Sequence, residues 1–180
     1  MSTFPSIHPD ITIRRLSTVS DACVRGLAEV LLDCVEGDAS VGFMHPLSTS
    51  TALAFWQRIA RGVHQGERAL LVAEDAQGPV GTVQLVLAQP DNQPHRADLS
   101  KMLVHRRARR RGLGAALMRA AEDLARDCGK SLLVLDTVTG GDAERLYAKL
   151  GWERCGVVPD FALFPRGGFC DTTLFYRRLA

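Results

Sequence analysis

Several common chemistries are excluded by what this chain lacks. Aromatic residues make up only 6% of its 180 positions, with two Trp, two Tyr and seven Phe. No basic stretch is interleaved with rings, as a surface that stacks single-stranded bases requires. No segment approaches the ~18 successive apolar residues of a membrane-spanning helix. Neither sign of charge dominates: 22 basic against 20 acidic side chains leave a formal net charge of +2. The chain as a whole is no polycation, so any attraction for anions is local. The five cysteines, Cys23, Cys34, Cys128, Cys155 and Cys170, form no C-x-x-C pair and have no close His partner. That spacing excludes a zinc knuckle or a small disulfide framework. The odd count and the lack of a secretory segment predict reduced thiols in a cytoplasmic protein, with no metal. There is no internal repeat, low-complexity tract or interdomain linker, so one domain is expected over residues 11–180. Residues 1–10, with Pro5 and Pro9 and no apolar run, read as a flexible arm.

Periodicity predicts the elements. Ile11–Leu16 alternates as a strand. Ser20 or Asp21 caps a helix carrying Val24, Leu27, Leu31 and Val35, and a Gly-containing loop covers Glu36–Pro46. A second helix runs from about Ser50 to His64. Ala69–Glu74 and Val80–Leu87 read as a hairpin, and Ala97–Val104 as a further strand. Leu113–Cys128 is the clearest helix, stopped by Gly129. A buried strand over Ser131–Asp136, a short helix over Asp142–Leu150, and strands over Trp152–Val158 and Asp171–Leu179 complete the chain. This order predicts an α/β (α+β) fold, a mixed, mostly antiparallel twisted sheet of about seven strands flanked by about four helices.

The chemistry concentrates where strand 97–104 meets helix 113–128. Five of the six residues from Arg106 to Arg111 are Arg, and Gly112 and Gly114 follow. Between Leu99 and Ala121 there are seven Lys and Arg residues and no acid. Glycines let a backbone approach a phosphate, and free amides with a helix dipole point at it. No Gly-Lys-Ser/Thr follows, which excludes a P-loop. Position 117 is Leu rather than the third Gly of a dinucleotide fingerprint.

Arg109-x-x-Gly112-x-Gly114 on this strand–loop–helix resembles motif A of the GCN5-related N-acetyltransferase (GNAT) superfamily. Asp98–Val104 upstream and Glu144–Trp152 downstream match the same family in order and spacing, and the likeness covers about residues 11–179. Within the family, Gly37-x-x-Ser-Val-Gly-Phe-Met44 and the ending around Asp171–Tyr176 resemble tabtoxin-resistance acetyltransferases. The resemblance implies acetyl-CoA as co-substrate, with its pyrophosphate on Arg109, Arg110, Arg111, Gly112, Leu113, Gly114 and Ala115. It places the pantetheine arm and thioester on the main chain of Met102, Leu103 and Val104. The acetyl group passes directly to an amine through a tetrahedral intermediate whose oxygen a main-chain amide stabilises.

Tyr147, before Leu-Gly-Trp152, is implied as the acid that protonates the departing thiolate. An amine acceptor also needs a base. Asp98 takes that role by family position, with Asp136 at the end of a buried strand as its rival and His105 as a weaker third. Strand alternation puts Asp98, Ser100 and Met102 on one face up to any bulge. Where many family members carry an Asn against pantetheine, this chain has Gly140, and Asp142 is expected to cap the next helix. The acceptor pocket is expected from the first two helices, their loop and the final hairpin. There Glu36, Asp38, Asp160 and Asp171 suit a cationic acceptor, while Ser40, His45 and Arg166 suit one bearing a carboxylate. The leading reading is an enzyme acetylating a small-molecule amine, toxins and antibiotic-like compounds included, without membrane or nucleic-acid partner, as a monomer or homodimer. A protein or peptide amine is the alternative acceptor. Nucleic-acid binding through Arg106–Arg111, and CoA sensing without turnover, are readings of a different class.

Overall fold

The computed structural model describes residues 3–8 and 10–179, the first segment as backbone. In chain order the elements are β1 (Thr3–His8), β2 (Ile11–Leu16), α1 (Asp21–Glu36), α2 (Thr49–His64), β3 (Arg68–Asp75), β4 (Gly78–Val86) and β5 (Arg96–Val104). There follow α3 (Leu113–Asp127), β6 (Leu132–Val138), α4 (Asp142–Lys149), β7 (Glu153–Leu163) and β8 (Phe169–Arg178). They form one sheet in the order β1-β2-β3-β4-β5-β6-β8-β7. Every neighbouring pair is antiparallel except β5 and β6. That parallel pair needs a crossover, and α3 supplies it.

The helices begin where local chemistry allows. The Ser20 hydroxyl accepts from the Cys23 amide at 3.2 Å, and the Ser48 hydroxyl from the Thr51 amide at 3.1 Å. Each satisfies an amide that the first helical turn leaves open. The apolar stripes then choose the faces. Leu27, Leu31, Val35, Trp56 and Ile59 of α1 and α2 are buried with Leu70, Val72 and Leu103 on one side of the sheet. Leu117, Ala121 and Leu124 of α3 are buried with Leu71, Leu85, Leu133, Tyr147 and Phe175 on the other. The second core includes a polar tie, with Trp152 Nε1 donating to Glu122 Oε1 at 3.0 Å.

The mixed sheet with four flanking helices is as expected, its seven strands being β2–β8. The arm expected over residues 1–10 differs: Thr3–His8 is an added edge strand, paired with β2 through an irregular register between Phe4 and His8. Pro5 does not preclude this, because an edge strand can spare donors on its open side; residues 1, 2 and 9 of that expected arm lie outside the described residues. The last hairpin is also longer than expected, for the same reason. The strand expected to end at Val158 continues through Pro159 to Leu163, because β7 is an edge strand and passes the proline within a register shift between Val158 and Ala162.

Candidate active site

A bulge in β5 organises the site. Against β4, Ser100 pairs with Gln84 and Leu103 with Thr82, so Lys101 and Met102 together face one residue, Val83. Lys101 takes φ 51° there. One extra residue reverses the side-chain alternation. Ala97 and Leu99 are buried toward α3, whereas Leu103 is buried toward α1 and α2; Met102 and Val104 pack on the α3 side. Asp98 and Ser100 therefore share a face, but Met102 lies on the opposite one.

On its other flank β5 pairs with β6 only from Arg96–Leu132 to Asp98–Val134. Beyond that point the two parallel strands splay, while β6 stays paired with β8 as far as Val138–Thr172. The main chain of Met102, Leu103 and Val104 borders this opening. A one-turn 3-10 helix, Arg106–Ala108, then leads to the start of α3. Arg110 has φ 63° and Gly112, at the cap position, φ 74°. No side chain caps α3, so the first-turn amides of Leu113, Gly114 and Ala115 lack helical partners. A Cβ on Gly114 would stand 3.0 Å from Leu146 Cδ2, so the bare glycine lets α4 approach the loop.

The Arg run divides in two. Arg106 binds Asp33 through its main-chain N–H and its Nε, both at 2.8 Å. Arg107 pairs with Asp75, and Arg109 Nε donates to the Val104 carbonyl at 3.0 Å. Those three brace the strand–loop junction rather than offering a surface to a polymer. Burial works against the Asp33 charge, but its bonds to Arg106 prevail and hold its pKa below the usual carboxylate range. Arg110, its side chain 88% exposed and 3.6 Å from Asp142, and exposed Arg111 face solvent beside the α3 amides.

Tyr147 is 4% exposed. Its ring packs against Trp152 and Phe175, with centroids 6.2 and 6.1 Å away. Its hydroxyl has no hydrogen-bond partner among the described residues, and burial, aided by the charge of Asp136, raises its pKa. Asp136, exposed on β6 beyond the end of the β5 ladder, acts electrostatically on both Tyr147 and Lys101. Asp98 sits before the splay, where Oδ1 meets Arg96 and Oδ2 accepts from Gln89 at 3.0 Å. His105 is turned inward, not to solvent: Nδ1 accepts the Arg107 amide at 3.1 Å and lies 3.6 Å from Asp33. Asp142 is not the cap of α4; Gly141 holds that position, and Asp142 binds Arg145 at 2.6 Å. The turn at Gly140 is held instead by Glu144, which also accepts from Thr173 at 2.9 Å.

The expected acceptor residues are joined across the top of the site. His45 meets Glu36 at 2.8 Å and Arg166 at 3.0 Å, Arg166 reaches Glu36 at 3.2 Å, and the Ser40 hydroxyl donates to the Leu163 carbonyl at 2.9 Å. The 36–46 loop is thus tied to the β7–β8 hairpin. Asp171 accepts from the Asp160 amide at 3.0 Å and supports the hairpin itself. A cavity of about 320 Å³ lies beside this loop, between Leu32, His45 and Arg106, and is lined by none of Lys101, Asp136 or Tyr147. Lys101 was not among the sequence candidates. Its signal is a cation in the apolar second half of a strand, between Ser100 and Met102–Val104. Among the described residues no three His, Cys, Asp or Glu side chains are grouped to hold a metal, and no helix is long and apolar enough to cross a membrane.

A strand that parts from its parallel neighbour, next to a glycine-capped helix start, defines the architecture of an acyl-CoA-dependent transferase. The acetyltransferase (GNAT) family model matches residues 33–152, and the chain belongs to that family. The same fold occurs in the yncA protein of Salmonella typhimurium, solved with its cofactor acetyl-CoA (23% identity, 95% of each chain covered, TM-score 0.76). It occurs in a ribosomal-protein-alanine N-acetyltransferase of Brucella melitensis (22% identity, 93% of this chain and 99% of that one, TM-score 0.77). A provisionally assigned phosphinothricin N-acetyltransferase is similar as well (18% identity, 94% and 99% covered, TM-score 0.77).

Proposed function

We propose that this chain transfers the acetyl group of acetyl-CoA to the amine of a small molecule. The observation that carries the reading is the splay beyond Asp98–Val134, with a buried tyrosine whose hydroxyl is unbonded on one side and an exposed carboxylate, Asp136, on its edge. Acetyl-CoA supplies the activated acyl group. The amides of Leu113, Gly114 and Ala115 and the cations Arg110 and Arg111 take the pyrophosphate, with Gly112 giving the turn and Arg109 fixing the strand end. The main chain of Met102, Leu103 and Val104 aligns the pantetheine arm, and one of its amides stabilises the oxyanion.

Tyr147 holds its proton through the physiological range, because burial disfavours the phenolate. It gives that proton to the departing thiolate. Of the two acids, Asp136 is the better placed to take the proton of the attacking amine. Asp98, on the expected family position, has both oxygens engaged by Arg96 and Gln89. The ties from Glu36, His45 and Ser40 to the last hairpin roof the site, which favours a compact acceptor over a protein terminus. The Gly37–Met44 segment keeps tabtoxin-like acceptors within that class.

The test is a calorimetric titration with acetyl-CoA, followed by a screen of small amines and N-terminal peptides for acetylation by mass spectrometry. Saturable binding lost in Gly112→Asp, with small amines acetylated, supports the reading. Acetylation of peptides alone moves the acceptor to proteins, and no acetyl-CoA binding overturns the reading.

A further inference from the structure

Lys101 forms no ion pair among the described residues and stands in a partly dry place. The bulge aims it toward α2, where Nζ lies 5.9 Å from the Phe55 ring centroid. A Cβ on Gly42 would stand 3.6 Å from the same nitrogen, so the small residue in the 36–46 loop leaves room in front of it. Arg58 approaches the Phe55 ring from elsewhere on α2, its guanidinium carbon 5.6 Å from the centroid. Arg68, at the start of β3, acts electrostatically on Lys101, and Arg58 on Arg68. Arg68 is held by a neutral partner, Gln84 Oε1, at 2.8 Å. None of the three cations forms an ion pair among the described residues. The opposing charges are Asp136, which acts on Lys101, and Glu67, which acts on Arg68.

Such a cluster is unfavourable without an anion: burial already lowers the pKa of Lys101, and Arg68 depresses it further. Arg58 is exposed, but Lys101 and Arg68 are partly withdrawn from water, and charges so placed are retained at low cost only when paired. Since nothing in the protein fully pairs them, a ligand anion is the natural complement. Asp136, on the other side of Lys101, is placed for an amine.

We propose that Lys101, supported by Arg58 and Arg68, is an anion seat in the acceptor pocket, so that the acceptor is an amine bearing a carboxylate-class group, of the α-amino-acid kind. This rests on the small-amine reading above and narrows it. The amine lies toward Asp136 and the thioester, and the anion lies toward Lys101 and Phe55.

The experiment compares leucine, methionine, phenylalanine and glutamate with their α-carboxamides as acceptors, using acetyl-CoA and the intact chain. At least one acid should be acetylated with kcat/KM about tenfold or more above its amide, since pairing a half-buried charge is worth that much. In Lys101→Met and Lys101→Gln the acid-to-amide ratio should fall to about one, with an acetyl-CoA titration showing that each variant is folded. Two results overturn the anion seat while leaving the small-amine reading intact: amides accepted as well as their acids, or an acid preference that persists in either folded variant. Failure of every acid, amide and simple amine, with acetyl-CoA bound, overturns both.

Discussion

Replacing Tyr147 by Phe removes one oxygen and leaves the ring. Since the ring carries the packing against Trp152 and Phe175, the core should not open a cavity. The hydroxyl makes no hydrogen bond among the described residues, so its removal forfeits none, and its oxygen is not among the buried unpartnered polar atoms, so no desolvation penalty is relieved either. Stability should therefore stay within ~0.5 kcal/mol of the parent. Catalysis should behave oppositely: a positioned general acid contributes ~10²–10⁴-fold, or about 3–5 kcal/mol of barrier. Single-turnover transfer, followed by mass spectrometry with the enzyme saturated in acetyl-CoA, reads that step apart from product release. Thermal unfolding of the same sample reads the other half. A variant that transfers acetyl within about threefold of the parent, across every acceptor accepted, refutes the proton-donor role. A pH series adds a sign. Burial raises the tyrosine pKa, so the proton is present below the ordinary ~10 and is lost only as pH climbs past it. Activity should show no loss from this group below about pH 10.

Asp136→Asn should lower kcat/KM by ~10²-fold or more with near-normal acetyl-CoA affinity, whereas Asp98→Asn should chiefly loosen the Arg96–Gln89 contacts; equal losses in parallel kinetics would remove the distinction. Trp152→Phe leaves the Glu122 carboxylate, 8% exposed, without its indole donor, and urea unfolding should show ~1–3 kcal/mol of lost stability. Asp33, held below its ordinary pKa by Arg106 after burial is overcome, contributes stability above the ordinary carboxylate range. That contribution fades as pH falls below about 4 toward the lower folded value. Asp33→Asn should flatten this part of the stability-against-pH curve.

Local signals carried most of the architecture. Ser20, the 20–35 stripe and Gly129 place helix ends because caps and periodicity act over a few residues. The Arg109–Gly112–Gly114 loop was equally readable, since its chemistry lies within one turn. What escaped depends on partners distant in sequence. Thr3–His8 becomes a strand only because β2 offers an edge. The engagement of Asp98 by Gln89, and of His105 by Asp33, cannot be inferred from spacing. Lys101 was hidden for the same reason: its φ and its direction follow from a mismatch between β4 and β5 that neither strand displays alone.

That mismatch makes length at one point of β5 less critical than elsewhere in the strand. A substitution at Lys101 alters one side chain, but deleting this single residue would restore an ordinary ladder between Ser100 and Leu103. Met102, Leu103 and Val104 would keep their sides, because Leu103 would still face Thr82 and Val104 Gly81; what the deletion removes is the bulge itself, with its φ 51° residue and the Lys101 cation. Deletions at other β5 positions shift part of the strand out of register, so a scan of single-codon deletions through the gene would recover more folded protein at the bulge than at its β5 neighbours.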